Sequence, residues 1–197
     1  MARAGLNTER VVAAAADLAD ETGFDHVTMS ALARRLGVKD ASLYSHLRSA
    51  ADLRTRVALL AARDFGDHVT AAVAGRAGKD ALTAFAAAYR SFALKHPGRY
   101  AATQIPLAPE VVAGSPGHLR MSEATYAMLR AYRLPEPDLT DAVRLLRSAF
   151  HGHSSIEASG GFQAARAVRA SWDRNIDALH FLLEHWPPSA AHETGRG

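Results

Sequence analysis

Apolar residues recur along this chain at intervals of three and four, and nowhere over a useful length do they alternate with polar ones, so the pattern predicts helix after helix and no sheet. From residue 8 to about 22, Val11, Val12, Ala15, Leu18 and Ala19 form one stripe, closed by Gly23 and followed by Phe24 as a further core wall. A second helix places Leu32, Ala33 and Leu36 on one face. Thr28 is its expected cap, because a hydroxyl there accepts from an orphan amide one turn on. Gly37 is its expected stop, since glycine takes the left-handed conformation at little cost. A short third helix begins near Lys39 or Asp40 and turns Leu43 and Leu47 inward. Ser49-Ala50-Ala51-Asp52 has capping-box spacing and opens a long helix through Leu53, Val57, Leu60, Ala61, Phe65 and Val69. Gly66, inside it, either eases a bend or marks a helix crossing.

Residues 75–78 break the pattern, and Asp80 starts a helix with Leu82, Phe85, Ala86, Tyr89 and Phe92 inward until His96-Pro97-Gly98 stops it. A short helix at 99–104 precedes an irregular, Pro- and Gly-rich stretch at 105–117, the expected mobile segment. Helices are expected near 119–132, 139–159 and 165–186, and the tail from Pro187 reads as disordered. The expected architecture is all-α. A three-helix helix-turn-helix domain occupies residues 1–50, a larger helical domain residues 51–186, and a disordered tail residues 187–197.

The helix-turn-helix assignment rests on residues 28–53, TMSALARRLGVKDASLYSHLRSAADL. With Leu43 and Leu47 inward, Lys39, Ser42, Tyr44, Ser45 and His46 point outward, a set of donors and aromatics on a helix short enough for a major groove. Net charge over the chain is only +3, but its distribution is uneven. Residues 28–56 hold six basic groups (Arg34, Arg35, Lys39, Arg48, Arg54, Arg56) against Asp40 and Asp52, whereas the preceding helix and turn carry Glu9, Asp17, Asp20, Glu21 and Asp25 against Arg10. That concentration is an electrostatic footprint for phosphate. The expected DNA-binding set is Thr28, Lys39, Asp40, Ser42, Leu43, Tyr44, His46 and Arg48.

At Thr28, Leu32-Ala33, Leu36-Gly37-Val38, Leu43-Tyr44, His46 and Leu53 the chain resembles the amino-terminal signature of the tetracycline-repressor-like (TetR) family. Lys39 stands where that family often has Ser or Thr, and Ala50 where it commonly has a Lys that helps hold a phosphate. Arg48, Arg54 or the amides at the next helix's start are left to replace that contact. By the same resemblance, Tyr44 and His46 would hold phosphates. Residues 146–162, LRSAFHGHSSIEASGGF, and HPGRY at 96–100 are similar to a branch named for a Trp-His-Gly triplet, with Phe150-His151-Gly152 in its place.

The resemblance implies a homodimeric transcription regulator, a repressor released from a palindromic operator by a small-molecule effector, with its last two long helices packed against their twins. The stripe Val168, Trp172, Ile176, Leu179, Leu183 and Trp186 fits such an interface, as does Leu139, Val143, Leu146, Phe150 and Ile156. Phe65, Phe85, Tyr89, Tyr100, Gln104, Tyr126 and His151 are the expected effector lining. No charged cluster is visible among them, so an uncharged or weakly polar organic effector is expected.

The chain has no Cys, which excludes a disulfide framework and a thiolate metal site. With no charged-then-apolar leader and no run of about 18 apolar residues, it is expected to be a soluble cytoplasmic protein without a membrane partner. A zinc-enzyme reading would use His151, His153 and Glu157 with His96 and His118. Residues two apart leave a helix on different sides, however, and no H-E-x-x-H is present. Ser154 and Ser155 lack a G-x-S-x-G elbow. Neither an enzyme nor a cofactor is expected, and a scaffold or membrane-surface bundle leaves the outward face at residues 39–46 without a use.

Overall fold

The structure, a computed structural model, describes residues 6–187, and among these it contains ten α-helices and no strand. Helix α1 (Thr8–Thr22) opens on Asn7, whose side chain accepts from the Arg10 amide. Helix α2 (Met29–Leu36) is capped by the Thr28 hydroxyl, 3.1 Å from the Ala31 amide, and ends at Gly37 with φ 67° and ψ 34°, the left-handed region expected of it. Helix α3 (Asp40–Leu43) is a single turn. Helix α4 (Ala50–Val73) begins at Ser49, which accepts from the Asp52 amide, while the Asp52 carboxylate accepts from the Arg48 amide at 3.0 Å.

Helix α5 (Gly78–Lys95) starts two residues before Asp80, and α6 (Pro97–Ala102) has Pro97 in its first turn, where the missing amide costs nothing. The stretch read as irregular holds α7 (Pro109–Ala113), and α8 (Pro116–Leu129) starts ahead of residue 119 because Ser115 and Pro116 form its cap and first position. Helices α9 (Asp138–Ala158) and α10 (Val168–Glu184) follow. The tail expected from Pro187 lies, apart from Pro187 itself, outside the described residues.

Two buried clusters form. One joins α1, α2, Leu43, Leu47 and the first half of α4 (Leu53, Val57, Ala58, Ala61), and reaches Ala102 of α6. The other joins Phe65 and Val69 of α4 to α5, α8, α9 and α10. The cores therefore divide within α4, between Ala61 and Phe65, rather than at residue 50. Gly66 is a crossing residue: a Cβ there would lie 2.7 Å from the Gly117 carbonyl oxygen, and one on Gly117 would overlap the α4 backbone at Ala62 and Arg63. Helices α4 and α8 thus meet backbone to backbone, and α4 runs unbroken past the glycine.

The terminal stripes face inward. Leu146, Phe150, Trp172, Ile176 and Leu183 are buried in the chain's own core, because α5 packs on the faces that carry them. They cannot touch a second copy, and Val168 and Leu179 are half-buried. Of the residues expected at an interface only Ile156 is largely exposed, at 45%. Phe181 and Leu182 of α10, which the stripe did not include, are exposed with it.

Helix α6 is fastened to α1 by contact and charge. A Cβ on Gly98 would overlap the Ala19 carbonyl. The Asp20 carboxylate accepts from the Arg99 amide at 2.8 Å and pairs with the Arg99 guanidinium, which also reaches Asp17 at 2.7 Å. Gly98→Ala is expected to lower stability by roughly 1–3 kcal/mol through overpacking. Gly152→Ala, mid-helix with nothing near the new methyl, is expected to raise it by up to about 1 kcal/mol. Urea unfolding of both variants checks the pair, and equal stabilities would refute the close approach of α6 to α1.

Candidate functional site

Helices α2 and α3 are held at their mutual angle by the Ser30 hydroxyl, which donates to Asp40 Oδ2 at 2.6 Å, and by Leu43 and Leu47, both buried. The side away from this core presents Lys39, Ser42, Tyr44 and Ser45, with Tyr44 58% exposed and His46 half-buried. The Ser45 hydroxyl donates to the Ser42 carbonyl at 2.7 Å. Two members of the expected DNA-binding set change role, while a third, Thr28, takes its expected place as the exposed cap of α2. Leu43 is fully buried and anchors the helix rather than touching DNA. Asp40, whose charge repels phosphate, fixes α3 through Ser30.

The basic residues divide in the same way. Arg35 pairs with Glu21 through two nitrogens at 2.5 and 2.8 Å, and that hydrogen bonding holds the Glu21 carboxyl below its ordinary range. Arg56 pairs with Asp52 at 2.9 Å. The Arg54 guanidinium sits 4.0 Å from the Phe24 ring centroid and donates to the Phe24 carbonyl and to Asp25, so it is tied into the fold and does not stand in for the family lysine. Arg34, Lys39 and Arg48 are exposed and form no ion pair among the described residues. Lys39 and Arg48 flank in sequence the face formed by Ser42, Tyr44 and His46, and Arg34 stands on α2. This face can donate hydrogen bonds and carries positive charge, the requirements of a phosphate-lined groove.

A cavity of about 520 Å³ lies in the larger domain. Its walls come from Ala62 and Phe65 of α4, Phe85 and Tyr89 of α5, residues 103–107, α8 from Gly117 to Met128, and α9 at Val143, Leu146, Arg147 and Phe150. Of the expected effector residues, Phe65, Phe85, Tyr89, Gln104 and Tyr126 line it. Tyr100 and His151 do not. They stand behind Tyr89, its hydroxyl 2.8 Å from that of Tyr100 and the latter 2.7 Å from His151 Nδ1. Burial pushes both tyrosine hydroxyls up, so they stay protonated. His118, with Nδ1 2.8 Å from Ser115 Oγ, also lines the cavity, and burial pushes its pKa down.

Sequence reasoning missed Arg147 and His118. For Arg147 a signal existed. Val143, Leu146 and Phe150 sit at helical spacing, and Arg147 falls on the same face, so a charge interrupts an otherwise apolar stripe. The histidines weighed as metal ligands are dispersed: His96 lies against Asp20, His118 against Ser115, His151 against Tyr100, and His153 Nε2 3.9 Å from Glu157. Among the described residues no three of His, Asp and Glu converge as a ligand set. No helix there is long and apolar enough to cross a membrane.

Residues 11–57, which contain the helix-turn-helix, match the family described as bacterial regulatory proteins, tetR family, and residues 82–179 match the tetracyclin repressor-like C-terminal domain. The HTH-type transcriptional regulator Rv0681 of Mycobacterium tuberculosis, itself uncharacterised, is 38% identical over 161 residues, spanning 80% of this chain and 72% of that protein. The chain belongs to the TetR family. The family and the matched relatives are transcriptional regulators, not enzymes. Solved structures share the fold: BioQ of Mycobacterium smegmatis at TM-score 0.64 and 22% identity, covering 92% of this chain and all of that one, and a BioQ solved with its natural double-stranded DNA operator at TM-score 0.59 and 23% identity, covering 90% of this chain and 99% of that one. A single-residue variant of TetR from Acinetobacter baumannii, in complex with minocycline, aligns at TM-score 0.68 and 21% identity, covering 94% of this chain and all of that one.

In this TetR-family chain the two faces of α3 separate by stability. Leu43→Ala is expected to cost about 2–5 kcal/mol, as for other fully buried leucines, and Tyr44→Ala to stay within about 0.5 kcal/mol of wild type. Urea denaturation of the two variants distinguishes core from contact face, and a large loss for Tyr44→Ala would contradict its exposed placement.

Proposed function

We propose that this regulator is a cytoplasmic homodimeric repressor that occupies a roughly palindromic operator and leaves it when a small organic molecule fills the cavity. The observation that carries the switch is that the cavity shares its walls with both elements fastened to the reading head. Phe65 of α4 lines it while Leu53, Val57 and Ala61 of the same helix belong to the head's core. Thr103 and Gln104 line it directly after α6, whose Gly98 and Arg99 hold α1. A ligand that displaces α4 or α6 therefore shifts the spacing of two paired reading heads. Only differential affinity does this: an effector must bind the non-operator arrangement more tightly, and a coupling of about 1–3 kcal/mol weakens operator binding about 5- to 150-fold.

Tyr44 and His46 hold phosphates, joined by Arg34 and Arg48, and Lys39 and Ser42 lie nearest base edges. The fold likeness to BioQ, solved with its operator, supports this docking. The likeness to the Acinetobacter baumannii TetR variant, solved with minocycline, supports a ligand-taking larger domain. The two segments similar to the Trp-His-Gly branch meet at the Tyr100–His151 hydrogen bond, which supports placing the chain in that branch. Dimerisation uses the outer side of α9 and α10, where Ile156, Phe181 and Leu182 leave apolar surface exposed.

The test is a gel shift on the DNA flanking the protein's own gene. Tyr44→Ala is expected to weaken binding to all sequences, and Lys39→Ala to cost about 1–3 kcal/mol and relax base preference. An unchanged affinity for a folded Tyr44→Ala protein refutes the docking. Sedimentation is expected to show a wild-type dimer at micromolar concentration and a Phe181→Glu monomer with weakened operator binding. A monomeric wild type would refute the two-fold assembly.

A further inference from the structure

We propose that the cavity takes an amphipathic organic carboxylate, its apolar body among Phe65, Phe85, Met128 and Phe150 and its single negative charge on the Arg147 guanidinium beside the Tyr89 hydroxyl. This rests on reading the cavity as the effector site, and it replaces the uncharged effector expected from the sequence.

Three features of the walls carry it. The first is charge. Among the lining residues there is no Asp, Glu or Lys, and Arg147 is the one permanently charged group. Arg147 has no acidic partner among the described residues. The positions three and four away on α9 are Val143, Arg144, Phe150 and His151, so its own helix offers none, and the nearby Asp141 is paired with Arg144. Arg147 is itself exposed, so its charge stands where the cavity meets solvent, partly screened by water, and without an acidic partner it is available to an anion that enters there. Its planar fork matches the two oxygens of a carboxylate.

The second feature is the polar chain behind the wall. Tyr89, Tyr100 and His151 are linked hydroxyl to hydroxyl to ring nitrogen. Each hydroxyl has one proton to give, and a histidine ring nitrogen either donates or accepts. When His151 Nδ1–H donates to Tyr100 and Tyr100 donates to Tyr89, the Tyr89 O–H is released to donate into the cavity. Tyr89 and Arg147 both line the cavity, so the end of this chain and the cation share one site. A cation and a donor hydroxyl together suit a carboxylate and disfavour an amine. One guanidinium in mainly apolar walls suits one negative charge rather than several.

The third feature is size and shape. A volume of about 520 Å³ lies inside the range of about 300–1,000 Å³ typical of small-molecule sites. Ala62, Ile105, Leu107, Met121 and Leu146 add to the apolar lining, so the polar end of a ligand is fixed by the arginine and its body by shape.

The experiment is calorimetric titration of the full-length protein with naphthoate and with decanoate, each beside its neutral amide and the corresponding amine. Arg147→Met, Arg147→Lys and Phe85→Trp are titrated alongside, with folding verified by circular dichroism. Wild type is expected to bind at least one acid about tenfold or more tightly than its amide, the amine being weakest. Arg147→Met is expected to lose that preference while still binding the amide, Arg147→Lys to keep part of it, and Phe85→Trp, which fills the cavity, to weaken acid and amide alike. Equal affinity of wild type for acid and amide, or an acid preference that survives in Arg147→Met, overturns the carboxylate assignment and leaves the cavity as the effector site. Binding of neither acid nor amide to folded wild type overturns the cavity reading and this proposal with it.

Discussion

Helix α4 has to satisfy two hydrophobic cores at once, and the rest of the molecule is arranged around that requirement. Over its 24 residues, about 36 Å at helical rise, it buries Leu53, Val57, Ala58 and Ala61 in the reading head and Phe65 and Val69 in the larger domain. Neither set is dispensable, since each supplies fully buried side chains to a core that would otherwise expose them. The backbone contact of Gly66 with Gly117 then removes lateral slack where α8 crosses. The cavity opens beside that crossing, with Ala62 and Gly117 both in its wall. A packed interior moves between discrete arrangements rather than stretching, so a body lodged there acts on an element that must shift as a unit.

Helix α6 makes the second link, and it does so with charge. Arg99 is mostly buried and faces Asp17 and Asp20 of α1, with Asp64 of α4 at 3.6 Å. Partly buried ion pairs contribute little net stability once desolvation is counted, but breaking one leaves an uncompensated charge, so such a group enforces register. The opposite side of the same short helix carries Tyr100, joined to Tyr89 on the cavity wall and to His151 on α9. One six-residue helix therefore touches the reading head through carboxylates and the cavity through hydroxyls.

The exposed face of α3 owes its availability to what is engaged elsewhere. Arg35, Arg54 and Arg56 have acidic or carbonyl partners within the fold, which leaves Arg34, Lys39 and Arg48 to meet an external anion. Asp40, on the same surface, is engaged by the Ser30 hydroxyl rather than by a cation. Composition alone counts six bases in this segment. Geometry assigns half of them to the protein itself.

The sequence by itself determined the local features, because each depends on a few neighbouring residues. The Thr28 cap, the left-handed Gly37, the Ser49 start and the His96-Pro97 break follow from backbone hydrogen-bonding needs that no distant contact alters. The inward phase of Leu32, Leu43, Leu47, Phe85 and Tyr89 follows from helical period. Periodicity says that a face is covered, not by what, and there the tertiary structure decided. Leu146, Phe150, Trp172, Ile176 and Leu183 are covered by the chain's own α5 rather than by a second copy. Tyr100 and His151 stand behind the cavity instead of in it, because the wall position falls to Tyr89. Arg147 became a wall residue only when α4, α5 and α8 closed around its face of α9. Whether a charge on a helix meets water, an acid or a cavity depends on elements distant in sequence, and their approach is set by packing such as the Gly66–Gly117 contact, which no local pattern encodes.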